Sequence, residues 1–272
     1  MEPIKVDKNS GVLYRQWEAS SPNAIFLLVH GLGAHSLRWQ FLSVFFLRHN
    51  FSSYAIELKG FGETKDTRGH IDSFDTYFND IRSLRYIIHK ENYGKKIFLV
   101  GESMGALISF LLEIRDSRLF DGLICISPAF QGRMKLPLSQ YVKILLSSWH
   151  NSKKEIPVPF TSEMCTRDSD YQKIMDSDSR EYRMATLKLL RNIALAQVQS
   201  KMLKDRIKTP VLFLVPGEDK LVIPQVSEKV FRDLKVQDKE IVRYPEMYHA
   251  LSVELGKEKV FTDILNWVKK RI

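Results

Sequence analysis

The sequence predicts an α/β chain with a mostly parallel eight-stranded sheet flanked by helices and an inserted helical segment. Three observations predict it. Short apolar runs alternate with segments of helical period, several of those runs contain no polar residue, and residues 129–209 break the alternation.

The runs are Val12–Trp17, Ala24–Val29, Ser53–Leu58, Ile97–Val100, Leu123–Ile126, Val211–Val215 and Ile241–Tyr244, with Ile4–Val6 as a weaker eighth. Ala24–Val29, Ile97–Val100 and Val211–Val215 are continuously apolar, which suits central strands covered on both faces. Asp72–Glu91 carries Phe74, Tyr77, Phe78, Ile81, Leu84, Ile87 and Ile88 at helical spacing. Met104–Ile114, Gln225–Leu234 and Lys257–Lys270 are the other helices expected between or after strands. Strands alternating with helices imply right-handed crossovers and a parallel sheet.

Between Pro128 and Pro210 no clear strand is expected. Helices are expected at about Leu138–Trp149 and Ser179–Leu203, joined by an irregular stretch holding Pro157 and Pro159. The domain reading is therefore a core of residues 1–128 and 210–272 with a helical cap over 129–209.

The 272 residues suffice for one core plus an insertion. Hydrophobic residues make up 44% and charged residues 27%, which argues against collagen-like, coiled-coil and disordered classes. Two cysteines, Cys125 and Cys165, allow no disulfide framework. No CxxC or HExxH pattern points to a metal, and no cofactor is expected. The segment Met1 to Gly11 is polar, and no run approaches the roughly 18–20 apolar residues of a membrane span. The expectation is a cytoplasmic protein. Lysine and arginine exceed aspartate and glutamate by 41 − 32 = 9. These cations are scattered and are not interleaved with aromatics, so nucleic acid is not an expected partner. A solvated surface or peripheral contact with an anionic membrane remains, and oligomeric state is not legible.

Gly101-Glu102-Ser103-Met104-Gly105 fits G-x-S-x-G. It directly follows an expected strand and opens an expected helix, the setting of a nucleophile elbow. Side chains two positions from the serine would collide in so tight a turn, and Gly101 and Gly105 remove them. A serine hydroxyl needs a base, and along the chain an elbow is followed by the acid and then the base. Only His150 and His249 lie beyond Ser103. His249, between the last strand and the last helix, fits better than His150 in the insertion. Asp219, after the penultimate strand, is the favoured acid, with Glu218 and Glu246 as competitors. His30-Gly31-Leu32-Gly33-Ala34-His35 follows the strand Ala24–Val29. The Leu32 and Met104 backbone N–H groups are the candidate oxyanion donors. His30 and His35 read as loop-organising residues.

Over nearly its whole length the chain resembles the α/β-hydrolase fold, and within it the monoacylglycerol lipase and lysophospholipase group of serine aminopeptidase-like hydrolases. The segments that carry the resemblance are His30 to Ser36, Arg68-Gly69-His70-Ile71-Asp72-Ser73-Phe74, Gly101–Gly105, Thr166-Arg167-Asp168 through Tyr182-Arg183-Met184, Gly217 to Val222, and Tyr248-His249. The resemblance implies a Ser103–Asp219–His249 triad, an oxyanion hole from Leu32 and Met104, and a helical cap over an acyl site. The chain departs from the family pattern at Glu102, where a histidine is common, at Lys59-Gly60-Phe61-Gly62, and at Pro216. The expected activity is two-step hydrolysis of a lipid-like ester, with monoacylglycerol as the first candidate. A lysophospholipid, or a short-chain or aromatic-acid ester, is the alternative. An aminopeptidase would need a carboxylate for the substrate amine, for which Glu155, Glu163 or Asp168 could serve. A carbon–carbon bond hydrolase would use the same three residues.

Overall fold

The computed structural model describes residues 2–133 and 152–272. Ten strands are described: β1 (Lys5–Val6), β2 (Leu13–Trp17), β3 (Ile25–Val29), β4 (Ser52–Glu57), β5 (Ile97–Glu102), β6 (Gly122–Ile126), β7 (Glu155–Pro157), β8 (Met184–Thr186), β9 (Val211–Pro216) and β10 (Lys239–Tyr244). Eight of them form one sheet in the order β1-β2-β4-β3-β5-β6-β9-β10. The β1–β2 and β2–β4 pairs are antiparallel, and every later pair is parallel.

Every residue of β3, β5 and β9 is buried, as the unbroken apolarity of Ile25–Val29, Ile97–Val100 and Val211–Val215 requires. The alternation of side chains along each strand builds a core on each face of the sheet. On one face Leu27, Leu99, Leu123 and Phe213 meet the helices Phe74–Glu91 and Met104–Arg115. On the other, Phe26, Phe98, Ile124 and Leu212 meet the helices Gln40–Arg48 and Lys257–Lys269. The helix Phe74–Glu91 starts where the Ser73 hydroxyl accepts the Asp75 N–H, and its expected apolar stripe is buried apart from the half-buried Ile87. The helix Gln40–Arg48 is additional to those expected. It has no side-chain cap, and its aromatic-rich sequence carries no boundary signal.

The insertion corrects two expectations. It does contain strands, because β7 and β8 pair antiparallel in a two-stranded sheet of their own. Three residues each, one of them Pro157, are too short and too irregular to announce a strand. The helix expected from Ser179 begins only at Leu187 and runs to Leu203. Residues 184–186 are taken up by β8, and the Thr186 hydroxyl then caps the helix by accepting the Leu189 N–H. A further helix, Ser169–Ser177, is capped by the Asp168 carboxylate, which accepts two backbone N–H groups. The helix expected at Leu138–Trp149 lies outside the described residues.

The insertion is tied to the loops at the carboxyl end of the sheet. Tyr182 N–H donates to Gly33 O at 2.9 Å, and Thr186 N–H donates to Gly69 O at 2.9 Å. The Arg68 guanidinium stacks 4.4 Å from the centre of the Tyr182 ring. Among the described residues no helix is long and apolar enough to cross a membrane.

Candidate active site

The turn from β5 into the helix Met104–Arg115 places Ser103 at φ 58°, ψ −119°. A non-glycine residue there is strained and needs the surrounding structure to hold it. The hold is visible: Ser103 N–H donates to Ile126 O at 2.9 Å, and Ser103 O accepts from Leu107 and Ala129. The flanking glycines are required by close approach. A Cβ on Gly101 would stand 2.4 Å from Gly105 O, and one on Gly105 would stand 2.1 Å from Val29 O.

His249 is buried on the loop after β10. Its Nδ1 lies 2.7 Å from Asp219 Oδ2, so Nδ1–H donates to the carboxylate and Nε2 is left for another partner. Asp219 is itself buried, and its Oδ1 accepts the N–H groups of Leu221 and Val222 at 2.8 and 2.9 Å. Burial opposes the charged carboxylate. The His249 charge and hydrogen bond, with the two backbone donors, outweigh it and hold Asp219 below its ordinary value. Burial likewise opposes the His249 imidazolium, but Asp219, and more weakly Glu102, raise its pKa above the usual 6.5. Of the candidate acids, Asp219 meets His249, whereas Glu218 and Glu246 are exposed. His150 lies outside the described residues.

Ser103 and His249 line one cavity of about 450 Å³, together with Leu32 and Met104. The Leu32 N–H donates no hydrogen bond among the described residues. Met104 is the first residue of its helix, so its N–H has no partner within that helix. His30 accepts the Leu58 N–H at Nε2 and meets Gly31 O at Nδ1, an arrangement that braces the loop. Burial lowers its pKa to about 4. His35 is lowered by burial and by Arg38, to about 3.

Two further features of the site carry no sequence motif. Glu102 is buried, and it accepts Ser252 N–H at 3.0 Å and Ser252 O–H at 2.8 Å. Ser127 O–H donates to His249 O at 2.6 Å. The departure of Glu102 from the family pattern was the only sequence signal for either. None of Glu155, Glu163 and Asp168 lines the cavity. Among the described residues no group of three or more metal-binding side chains converges.

Comparison with known proteins gives the family and the fold. A family profile described as "Serine aminopeptidase, S33" matches residues 20–256. Phospholipase YtpA of Bacillus subtilis is 25% identical over 254 residues, covering 90% of this chain and 95% of that protein. The monoglyceride lipase of Homo sapiens is 25% identical over 268 residues, covering 94% and 86%. The crystal structure of Paleococcus ferrophilus monoacylglycerol lipase superposes with a TM-score of 0.88 at 25% identity, covering 96% of this chain and 99% of that one.

Proposed function

The chain belongs to the serine aminopeptidase S33 family of α/β hydrolases, and on that premise we propose that it hydrolyses lipid-like carboxylic esters through Ser103, His249 and Asp219. The observation that carries the reading is one cavity lined by a strained serine and by a buried histidine that Asp219 holds from behind.

In the proposed reaction, Ser103 Oγ attacks the ester carbonyl as His249 Nε2 takes its proton. Asp219 fixes the ring tautomer and stabilises the imidazolium. The Leu32 and Met104 N–H groups receive the developing oxyanion. His249 then protonates the leaving alcohol, and water, activated by the same imidazole, releases the acid from Ser103.

A lipid-like substrate is supported by the lining. Leu32, Val158, Phe160, Met164, Ile193 and Leu221 give the cavity an apolar interior of a size suited to a small amphiphile. Monoacylglycerol is the first neutral ester to test, in keeping with the lipases among the relatives. We read residues 129–209 as a cap, supported by Val158, Phe160, Met164 and Ile193 facing the cavity. Peripheral contact with an anionic membrane is supported by the +9 charge and by Leu195, Val198 and Met202, exposed on the helix Leu187–Leu203.

The test is one panel on one preparation: p-nitrophenyl esters of graded chain length, a monoacylglycerol, and an aminoacyl-naphthylamide. Hydrolysis of the medium and long esters with the amide untouched is expected. Faster amide cleavage, or no ester cleavage, would overturn the reading.

A further inference from the structure

Apart from its histidines, the cavity is lined by four charged side chains among the described residues: Arg38, Glu102, Arg133 and Lys220. Two of them are compensated within the fold. Arg38 forks onto Glu181 through two 2.7 Å hydrogen bonds, and Glu102 is held by Ser252.

Arg133 and Lys220 are exposed, and neither meets a carboxylate among the described residues. Both are nevertheless anchored. Arg133 N–H donates to Leu221 O at 2.8 Å, and its Nε donates to Asp219 O. The adjoining Gly132 bridges Val222. With Nε committed, the terminal nitrogens of the guanidinium meet no partner among the described residues, and their planar fork suits two oxygens of one anion. Lys220 directly follows Asp219, and its ammonium stands 3.9 Å from the centre of the Tyr248 ring. The two cations therefore flank the backbone of the residue that holds His249. A cavity with an apolar interior and an uncompensated cationic rim matches an amphiphile with an anionic head.

We propose that Arg133 and Lys220 form an anion subsite that takes the phosphate on the alcohol half of an acyl ester, making acylated glycerol phosphates better substrates than neutral acylglycerols. The inference rests on the esterase reading above. The phosphate is bound and not cleaved. Water adds across the acyl C–O bond, its hydroxyl going to the acyl carbon and its proton to the glycerol oxygen.

The experiment compares 1-myristoylglycerol, 1-myristoylglycerol 3-phosphate and the 1-myristoyl lysophosphatidylglycerol, each below its micellar concentration. The second and third separate a phosphate monoester from a diester. The phosphate esters are expected to exceed the neutral ester in kcat/KM by about tenfold, roughly one good charge-assisted contact. Raising salt from about 50 to about 300 mM should shrink that ratio in the unmodified protein. Lys220→Gln should reduce the ratio, and Lys220→Gln with Arg133→Gln should bring it near one. Calorimetry on the Ser103→Ala protein should show tighter binding of the phosphate ester than of the neutral one. A ratio near one in the unmodified protein, or a ratio indifferent to both salt and Lys220→Gln, would overturn the subsite and leave the esterase reading standing. Phosphate-ester binding by the Ser103→Ala protein without hydrolysis of any ester by the unmodified one would do the reverse.

Discussion

The Glu102 carboxylate, one residue before Ser103, grips both the backbone N–H and the hydroxyl of Ser252, three residues after His249. The strand bearing the serine is thereby strapped to the loop bearing the histidine. The strap also carries charge, because Glu102 helps Asp219 raise the His249 pKa. Burial pushes the pKa of Glu102 itself upward, against the two Ser252 hydrogen bonds.

The base must be neutral to accept a proton, so kcat/KM should rise through the His249 pKa as pH increases, with a midpoint above the usual 6.5. Glu102→Gln keeps the shape and most of the hydrogen bonding while removing the charge. Its acid limb should move to lower pH. Glu102→Ala should in addition lower kcat, because the strap itself is lost. A pH–rate series on the two variants separates charge from positioning, and an unmoved acid limb in Glu102→Gln would refute the electrostatic part.

Asp219→Asn should cost about three to four orders of magnitude in kcat, because the amide cannot hold His249 with Nδ1 as donor. Circular dichroism should show a folded protein, since the asparagine oxygen can still accept the Leu221 and Val222 N–H groups. A loss of under tenfold would mean that Asp219 does not orient the base.

The Arg38–Glu181 fork joins the helical turn after the glycine loop to the insertion. Both side chains are nearly buried, so Glu181→Gln strands the Arg38 cation. Removing one partner of a buried pair costs about 3–5 kcal/mol. Urea unfolding should show a loss of that order, against which a change under about 0.5 kcal/mol, the usual range for a surface substitution, would count.

His30 should make the fold acid-sensitive. Its folded pKa, about 4, lies below the ordinary 6.5, so the unfolded chain takes up the proton first as pH falls. Its contribution is complete above about pH 6.5 and lost progressively toward pH 4, at up to about 1.4 kcal/mol per unit. Protonation would also displace the Leu58 N–H from Nε2. Stability measured across this window should fall less steeply in His30→Gln.

The core strands and all but one of their flanking helices were legible because burial on two faces leaves unbroken apolar runs such as Ile25–Val29, and a single buried face leaves a stripe such as Phe74 to Ile88; the helix Gln40–Arg48 was not. The elbow was legible because a turn with Cβ clearances near 2 Å at Gly101 and Gly105 admits only glycine. The insertion was less so. Its strands, Glu155–Pro157 and Met184–Thr186, are held by pairing across the insertion and against Gly69, which local sequence does not encode. The same applies to Ser252 and Ser127. A hydroxyl that meets its partner over more than a hundred residues leaves no spacing to read.

The central claim is that Ser103 is the nucleophile activated by His249. A fluorophosphonate ester tests it directly, followed by intact-mass and peptide mass spectrometry on the unmodified protein and on Ser103→Ala. The account predicts one adduct, on Ser103, absent from Ser103→Ala and formed far more slowly in His249→Ala. Failure of the unmodified protein to label, or a single adduct on another residue, would contradict it.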